Sequence, residues 1–320
     1  MARSQQEGGA DVQYIQTLLG QGASLECKDS KDLRTPLIWA INRGNKSLAK
    51  AFIAEKALLA TRDGHREWTP LIWAVMEDQR EILQELIIGG ANLTEVDGRL
   101  RCTAILWAAS AGNCYAVKLL LEKDKELIKA TDKEGRTPLA LAYFEGHLET
   151  AKLLVREGDN PNFKFSCGVS LLAWTIVAKN VDLAQLLLDS GAEVESIDRN
   201  KLSALILAIQ NNLPGLAERL VLMGAYLQCT DESGLPALTV AVKDQRHDIA
   251  EILIRNGANL EATDDDGNTA LLWAVSGNDE KLVKLLVDNG ANIGFVDVHG
   301  NTVQMWAAWT QNETLVQLVS

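Results

Sequence analysis

Eight tryptophans in a chain that is only 5% aromatic are its most conspicuous chemical feature. Indole faces attract cations and bury large apolar areas, so a surface lined by them suits a cationic or apolar guest. Six of the eight, Trp39, Trp73, Trp107, Trp174, Trp273 and Trp306, fall in one repeating slot, while Trp68 and Trp309 fall outside it. Phe163, Phe165 and Tyr143 would extend such a surface, and nearby carboxylates able to move a proton would make it catalytic. No catalytic residue is assigned, because no G-x-S-x-G, P-loop or G-x-G-x-x-G motif occurs. Asp264, Asp265 and Asp266 invite a metal, yet Asp264 occupies a turn position that recurs along the chain and its neighbours are variable turn residues. The histidines, His65, His147, His247 and His299, lack the spacing of metal ligands. The expectation is therefore no metal and no cofactor.

The slot belongs to a longer pattern. Thr35-Pro36-Leu37-Ile38-Trp39-Ala40 returns almost unchanged at Thr69, and weaker copies begin at Thr103, Thr137, Ser170, Ser203, Pro236, Thr269 and Thr302. A fixed period of 33–34 residues means stacked units sharing a continuous core. One unit parses from Asp132, where Asp132 to Arg136 is a turn-rich tip. Thr137 then caps a helix with Pro138 at its first position, running to about Glu145 and ending at Gly146. A second helix follows from His147 to about Arg156, and Gly158 stops it.

This tip, helix, turn, helix, glycine order resembles the ankyrin repeat, whose motif reads T-P-L-H-x-A at 33 residues. The T-P-L-x-W-A form is similar to that of fungal ankyrin-repeat proteins. Gly-Ala pairs after the second helix, as at Gly90-Ala91 and Gly257-Ala258, extend the resemblance, as do Asp-x-x-Gly tips such as those at Asp132, Asp231, Asp264 and Asp297. It implies an all-α solenoid with projecting β-turn or hairpin tips, elongated and curved, whose concave groove binds partners. One domain is expected over 1–320: a capping half-repeat at 1–34, eight repeats over 35–301 and a C-terminal repeat at 302–320. The stretch Ala2–Glu7 is too polar for a buried helix, whereas Val12, Ile15, Leu18 and Leu19 suit one. The apolar helix over 313–320 suggests a further segment beyond it.

The chain departs from the family pattern in several places. The motif histidine is absent from every copy, and the first three repeats carry one extra residue near the tip. Phe165 stands where the tip Asp belongs, and Lys201 takes the glycine slot after Asp198.

On a helical wheel, positions +2, +5, +6 and +9 from the motif start face the second helix, and +4, the tryptophan slot, faces the groove. The tryptophans would form a ladder with rungs roughly 10 Å apart, the spacing of packed helices. Filling the crook between helix and tip is the leading role for them. An aromatic floor for an apolar or cationic ligand is the second. Trp68 at a tip edge and Trp309 at +7 are expected to be exposed anchors, joined by Arg34, Arg43, Phe144 and Met76. The leading function is non-catalytic recognition of a protein partner through groove and tips. A small-molecule site or an unusual enzyme is the alternative, and end-on assembly through Leu315 and Val319 a third.

The formal charge of −12 divides unevenly. Residues 1–160 hold 21 Lys and Arg against 23 Asp and Glu; residues 161–320 hold 10 against 20. Such a chain does not suit nucleic acid. Five scattered cysteines, Cys27, Cys102, Cys114, Cys167 and Cys229, fit a reducing compartment. With no apolar run near 20 residues and no signal-peptide pattern at the start, a cytoplasmic or nuclear monomer off the membrane is expected.

Overall fold

The computed structural model describes residues 13–165, 167–196, 200 and 202–320. The expectations for Ala2–Glu7, Val12, Asp198 and Lys201 lie outside them. The chain divides into two compact units, Met1–Phe163 and Lys164–Ser320. In the first, α1 (13–20) precedes four helix pairs: α2 (Pro36–Asn42) with α3 (Lys46–Ala54), α4 (Pro70–Met76) with α5 (Arg80–Ile88), α6 (Ala104–Ser110) with α7 (Cys114–Lys123), and α8 (Pro138–Phe144) with α9 (Leu148–Arg156). A 3-10 turn, Lys125–Lys129, links α7 to α8. The second unit holds α10 (Leu171–Val177) with α11 (Val181–Asp189), α12 (Ala204–Gln210) with α13 (Pro214–Leu222), and α14 (Ala237–Lys243) with α15 (His247–Arg255). It ends with α16 (Ala270–Ser276) and α17 (Glu280–Asp288), then α18 (Val303–Trp309) and α19 (Glu313–Leu318). Within each unit a helix packs on its own partner and on its counterpart in the next repeat. The architecture is an all-α repeat solenoid.

Seven-residue first helices are too short to persist alone, so caps and packing must hold them. The cap is the motif's first residue. Thr35, Thr69, Thr137, Ser170, Ser203, Thr269 and Thr302 each accept a hydrogen bond from the N–H three residues on. Positions +2, +3, +5 and +6 supply the core, as with Leu37, Ile38, Ala40 and Ile41 in α2. Position +9, expected on the buried arc, instead makes the inter-helix turn. It has positive φ in every repeat, from Gly44 at 68° to Gln311 at 58°. The helix has ended at +7, which frees +9 to reverse the chain.

The cap residues of α5, α7 and α19 tie neighbouring repeats together. Gln79 donates to the Ile41 carbonyl, Asn113 to the Val75 carbonyl at 3.1 Å, and Asn312 to the Asn278 side chain at 2.9 Å. In the second unit isolated antiparallel bridges close four tips, one of them joining Val296 to Thr302.

At the end of the chain, Leu315 and Val319 are fully buried in their own repeat. These two side chains are covered by α17 and α18 and are not free for the end-on contact read from the sequence.

Candidate functional site

The tips at Asp29, Asp63, Asp97, Asp132, Asp231, Asp264 and Asp297 are each built by that aspartate. The Asp97 carboxylate accepts the backbone N–H groups of Arg99, Leu100 and Cys102, and Asp297 accepts those of His299 and Asn301. The second carboxylate oxygen then reaches the ladder. Trp39 Nε1 donates to Asp29 at 2.5 Å, Trp107 to Asp97 at 2.8 Å, Trp273 to Asp264 at 2.8 Å and Trp306 to Asp297 at 3.0 Å. The slot's tryptophans therefore pin first helix to tip within a repeat, and these four are half-buried. Burial pushes the Asp297 carboxyl up, but the bonds from Asn301, Trp306 and His299 outweigh it and hold the group down at about 2. The Asp29 carboxyl is likewise lowered, first by the Asp32 N–H. Asp264 is engaged in this way and is not presented to a metal.

Two rungs differ. Where Phe165 replaces the tip aspartate, Trp174 meets its ring edge-on at 6.1 Å and stays 38% exposed. Phe163 beside it is half-buried. Trp73 is buried, and its indole N–H finds no acceptor.

Trp73 is covered in part by Trp68, expected as an exposed anchor and in fact only 5% exposed. Trp68 wedges edge-on between Trp73 at 5.1 Å and Trp107 at 4.9 Å. Its backbone N–H donates to Asp63 at 2.8 Å. Three indoles thus form a small core under the tips of the second and third repeats, and both Trp68 and Trp73 are withdrawn from any partner. Arg34, another expected anchor, is largely covered, held by Asn42 at 3.2 Å and Asp32 at 3.5 Å.

The other anchors lie at the surface. Arg43, Phe144 and Trp309 are exposed, and Met76 is half-buried. Trp309 stacks edge-on against Trp306 at 5.3 Å yet remains 58% exposed, and Phe144 is 66% exposed.

Arginines cover much of the N-terminal aromatic face. Arg43 lies over Trp39 at 5.0 Å, Arg34 over Trp39 at 5.6 Å and Trp73 at 5.0 Å. Arg66 lies over Trp68 at 4.4 Å and Trp73 at 5.5 Å. Arg66 was not singled out from the sequence. The signal for it is its place two residues before Trp68 in the lengthened tip.

Against the small-molecule alternative, the hollow between Trp273 and Trp306 holds only about 140 Å³ and opens to solvent. Drug-sized ligands occupy sites of roughly 300–1,000 Å³. A larger hollow of about 320 Å³ lies away from the ladder, among the inter-helix turns near Asp78, Arg80, Asn113 and Tyr115. Tyr143, Phe163 and Phe165 are not among the residues lining either hollow.

Two further groups escaped the sequence. Asp159, in the alanine position of the Gly-Ala pair, is buried and accepts the N–H groups of Leu139 and Asn160, each at 2.7 Å. Burial pushes its carboxyl up to about 6 against these bonds and one from Thr137. Cys102 sits in a cluster with Leu106 and Leu141, where burial and the nearby Asp97 charge push its thiol up to about 12. Among the described residues no helix is long and apolar enough to cross a membrane.

A family model for ankyrin repeats (3 copies) matches residues 4–97, 81–165, 141–231, 170–264 and 238–320. The human protein described as ankyrin repeat domain-containing protein 63 is 33% identical over 96 residues, 29% of this chain and 25% of that protein. Its mouse counterpart is 33% identical over 96 residues, 29% of this chain and 24% of that protein. The chain thus spans about a quarter of the length of these curated relatives. With capped helix pairs, glycine-turned tips and a family match running from end to end, the chain belongs to the ankyrin repeat family.

Proposed function

We propose that this chain is a recognition module that holds a protein partner against the exposed ends of its first helices and the tips beside them. Ankyrin repeats generally mediate protein–protein interaction, and stacked repeats present side chains on a rigid frame, which lowers the ordering cost of binding. The observation that carries the reading is the +7 slot. It exposes Phe144 at 66% in the first unit, with Val177 at 46% and Trp309 at 58% in the second. Large apolar side chains at the solvent end of a helix add nothing to its own core, and aromatic residues in such places are typical interface anchors.

The test is native mass spectrometry of the protein recovered from its own source, compared with Phe144→Glu and Trp309→Glu. A co-purifying polypeptide that is lost from either variant, with helicity unchanged, is the expected result. A polypeptide retained equally by both variants, or a bound mass of only a few hundred daltons, would overturn the reading.

A further inference from the structure

The aromatic face of the first repeats is an alternating stack of cations and rings. Arg43 and Arg34 share the Trp39 ring, and Arg34 and Arg66 share the Trp73 ring, with Trp68 under Arg66 and Trp107 beyond it. The three arginines differ in what else they touch. Arg34 is covered and paired with Asp32, so it acts as the spacer of the stack. Arg43 and Arg66 are exposed, and among the described residues neither has a carboxylate within ion-pair distance. The tip aspartates of these two repeats are already committed, and among the described residues Glu67, next to Arg66 in sequence, forms no ion pair with it. Asp29 is taken by its own turn and by Trp39, and Asp63 by the N–H groups of Arg66 and Trp68.

A guanidinium resting on an indole has given up part of its hydration and its rotamer freedom, yet keeps N–H donors at its edge. What completes it is a carboxylate, which accepts two parallel N–H bonds. Trp39, Trp68 and Trp73 are in turn covered by arginine, so these three rings offer no open platform of the kind that stacks nucleobases. The net charge of the chain also disfavours a phosphate backbone.

Spacing narrows the guest further. Two guanidinium groups sharing one ring lie no more than about 11 Å apart, or three residues of extended chain at ~3.3 Å each. Arg43 and Arg66, two such steps apart, are at most about six residues apart on that scale.

We propose that this arginine–tryptophan stack docks an acidic segment of a partner protein, an extended peptide with Asp or Glu side chains no more than about six residues apart that pair with Arg43 and Arg66. The proposal rests on the reading of the chain as a recognition module and specifies the chemistry of its partner.

The experiment uses the full chain and fluorescence anisotropy of a labelled peptide of Glu-Gly-Gly repeats. Its Gln-Gly-Gly counterpart and an oligouridylate of equal length serve as comparisons. The Glu peptide is expected to bind, more weakly as salt rises, and the Gln peptide to bind at least about tenfold less. Arg43→Ala with Arg66→Ala should weaken the Glu peptide at least about tenfold. Because Arg66 shields buried rings, Arg43→Lys with Arg66→Lys serves as the second variant. It keeps charge and cover, and should still lose affinity because a bidentate fork is gone.

Equal binding of the two peptides, no binding of the Glu peptide, full affinity in the lysine variant, or tighter binding of oligouridylate would each overturn the proposal. If the peptide fails while a polypeptide is still lost from the Phe144 or Trp309 variants, recognition stands and only the acidic guest is wrong. If both fail, both readings fall.

Discussion

Asp159 places a buried carboxyl in the first unit. Its carboxyl sits at about 6 in the fold against an ordinary 3.8, because burial penalises the charge more than the bonds from Leu139, Asn160 and Thr137 favour it. A group raised in the fold contributes stability below its unfolded value and loses it as pH rises through the folded one. The penalty is therefore fully felt above pH 6 and vanishes below about pH 4, and two pKa units correspond to about 3 kcal/mol. Asp159→Asn keeps an acceptor for the Leu139 N–H and removes the charge. Urea unfolding at pH 8 should find it about 1–3 kcal/mol more stable than the parent, with the gain shrinking from pH 6 to pH 4. Equal stability at pH 8, or a gain that grows on acidification, would contradict this. The residue was not legible in the sequence, because its burial comes from α8, some twenty positions earlier. The threonine caps were legible, since each acts within three residues of itself. The tip aspartates were legible as turn residues, but their bonds to indoles nine or ten residues on appear only once helix and tip face each other. Trp68 misled for the same reason. Its exposure was read from its own repeat, and Trp107 from the next repeat buries it.

At the scale of the element, the tip changes character where the period changes. In the shorter tips the fourth residue is glycine with positive φ at Gly135, Gly168, Gly234, Gly267 and Gly300, 73° at Gly234. The extra residue of the first three tips moves that conformation onto Leu33, Glu67 and Arg101, at φ of 52°, 57° and 57°. The spacing shows the insertion, but not that a side chain bears the left-handed backbone. Only glycine takes that region without steric cost. Leu33→Gly and Arg101→Gly should each stabilise by about 0.5–1 kcal/mol, offset in part by the freer unfolded chain. Gly234→Ala should destabilise, and by more, because its new Cβ would lie 2.6 Å from the Asp265 carboxylate as well as in strained backbone. Chemical denaturation of the three variants checks the pair of signs. Stabilisation by Gly234→Ala, or loss in both glycine variants, would show that tip conformation does not limit stability.

Across the whole molecule, repeats that contact mainly their neighbours store stability as a sum of local terms. The chain nonetheless forms two compact units, Met1–Phe163 and Lys164–Ser320, with the irregular Phe165 tip at the start of the second. Each unit has its own fully buried first-helix residues, Leu106 in the first and Leu205 in the second. Truncating either to alanine removes about 2–5 kcal/mol of packing from one unit alone. If the units unfold as separate cooperative blocks, Leu106→Ala lowers the urea midpoint for amides of the first unit, α6 and α8 among them, and leaves α10 and α12 unmoved. Leu205→Ala then lowers it for α10 and α12 with the rest of the second unit, and leaves α6 and α8 unmoved. Hydrogen exchange followed by mass spectrometry reads the two sets separately, since opening free energies differ by segment. A common shift of all four helices in both variants would instead mean that one cooperative unit spans residues 13–320. The outcome also bears on recognition. Independent blocks would let the Arg43 and Arg66 stack keep its acidic peptide after the second unit has unfolded. The anisotropy of the Glu peptide, followed through the same urea series in Leu205→Ala, should then persist beyond the loss of α10 and α12.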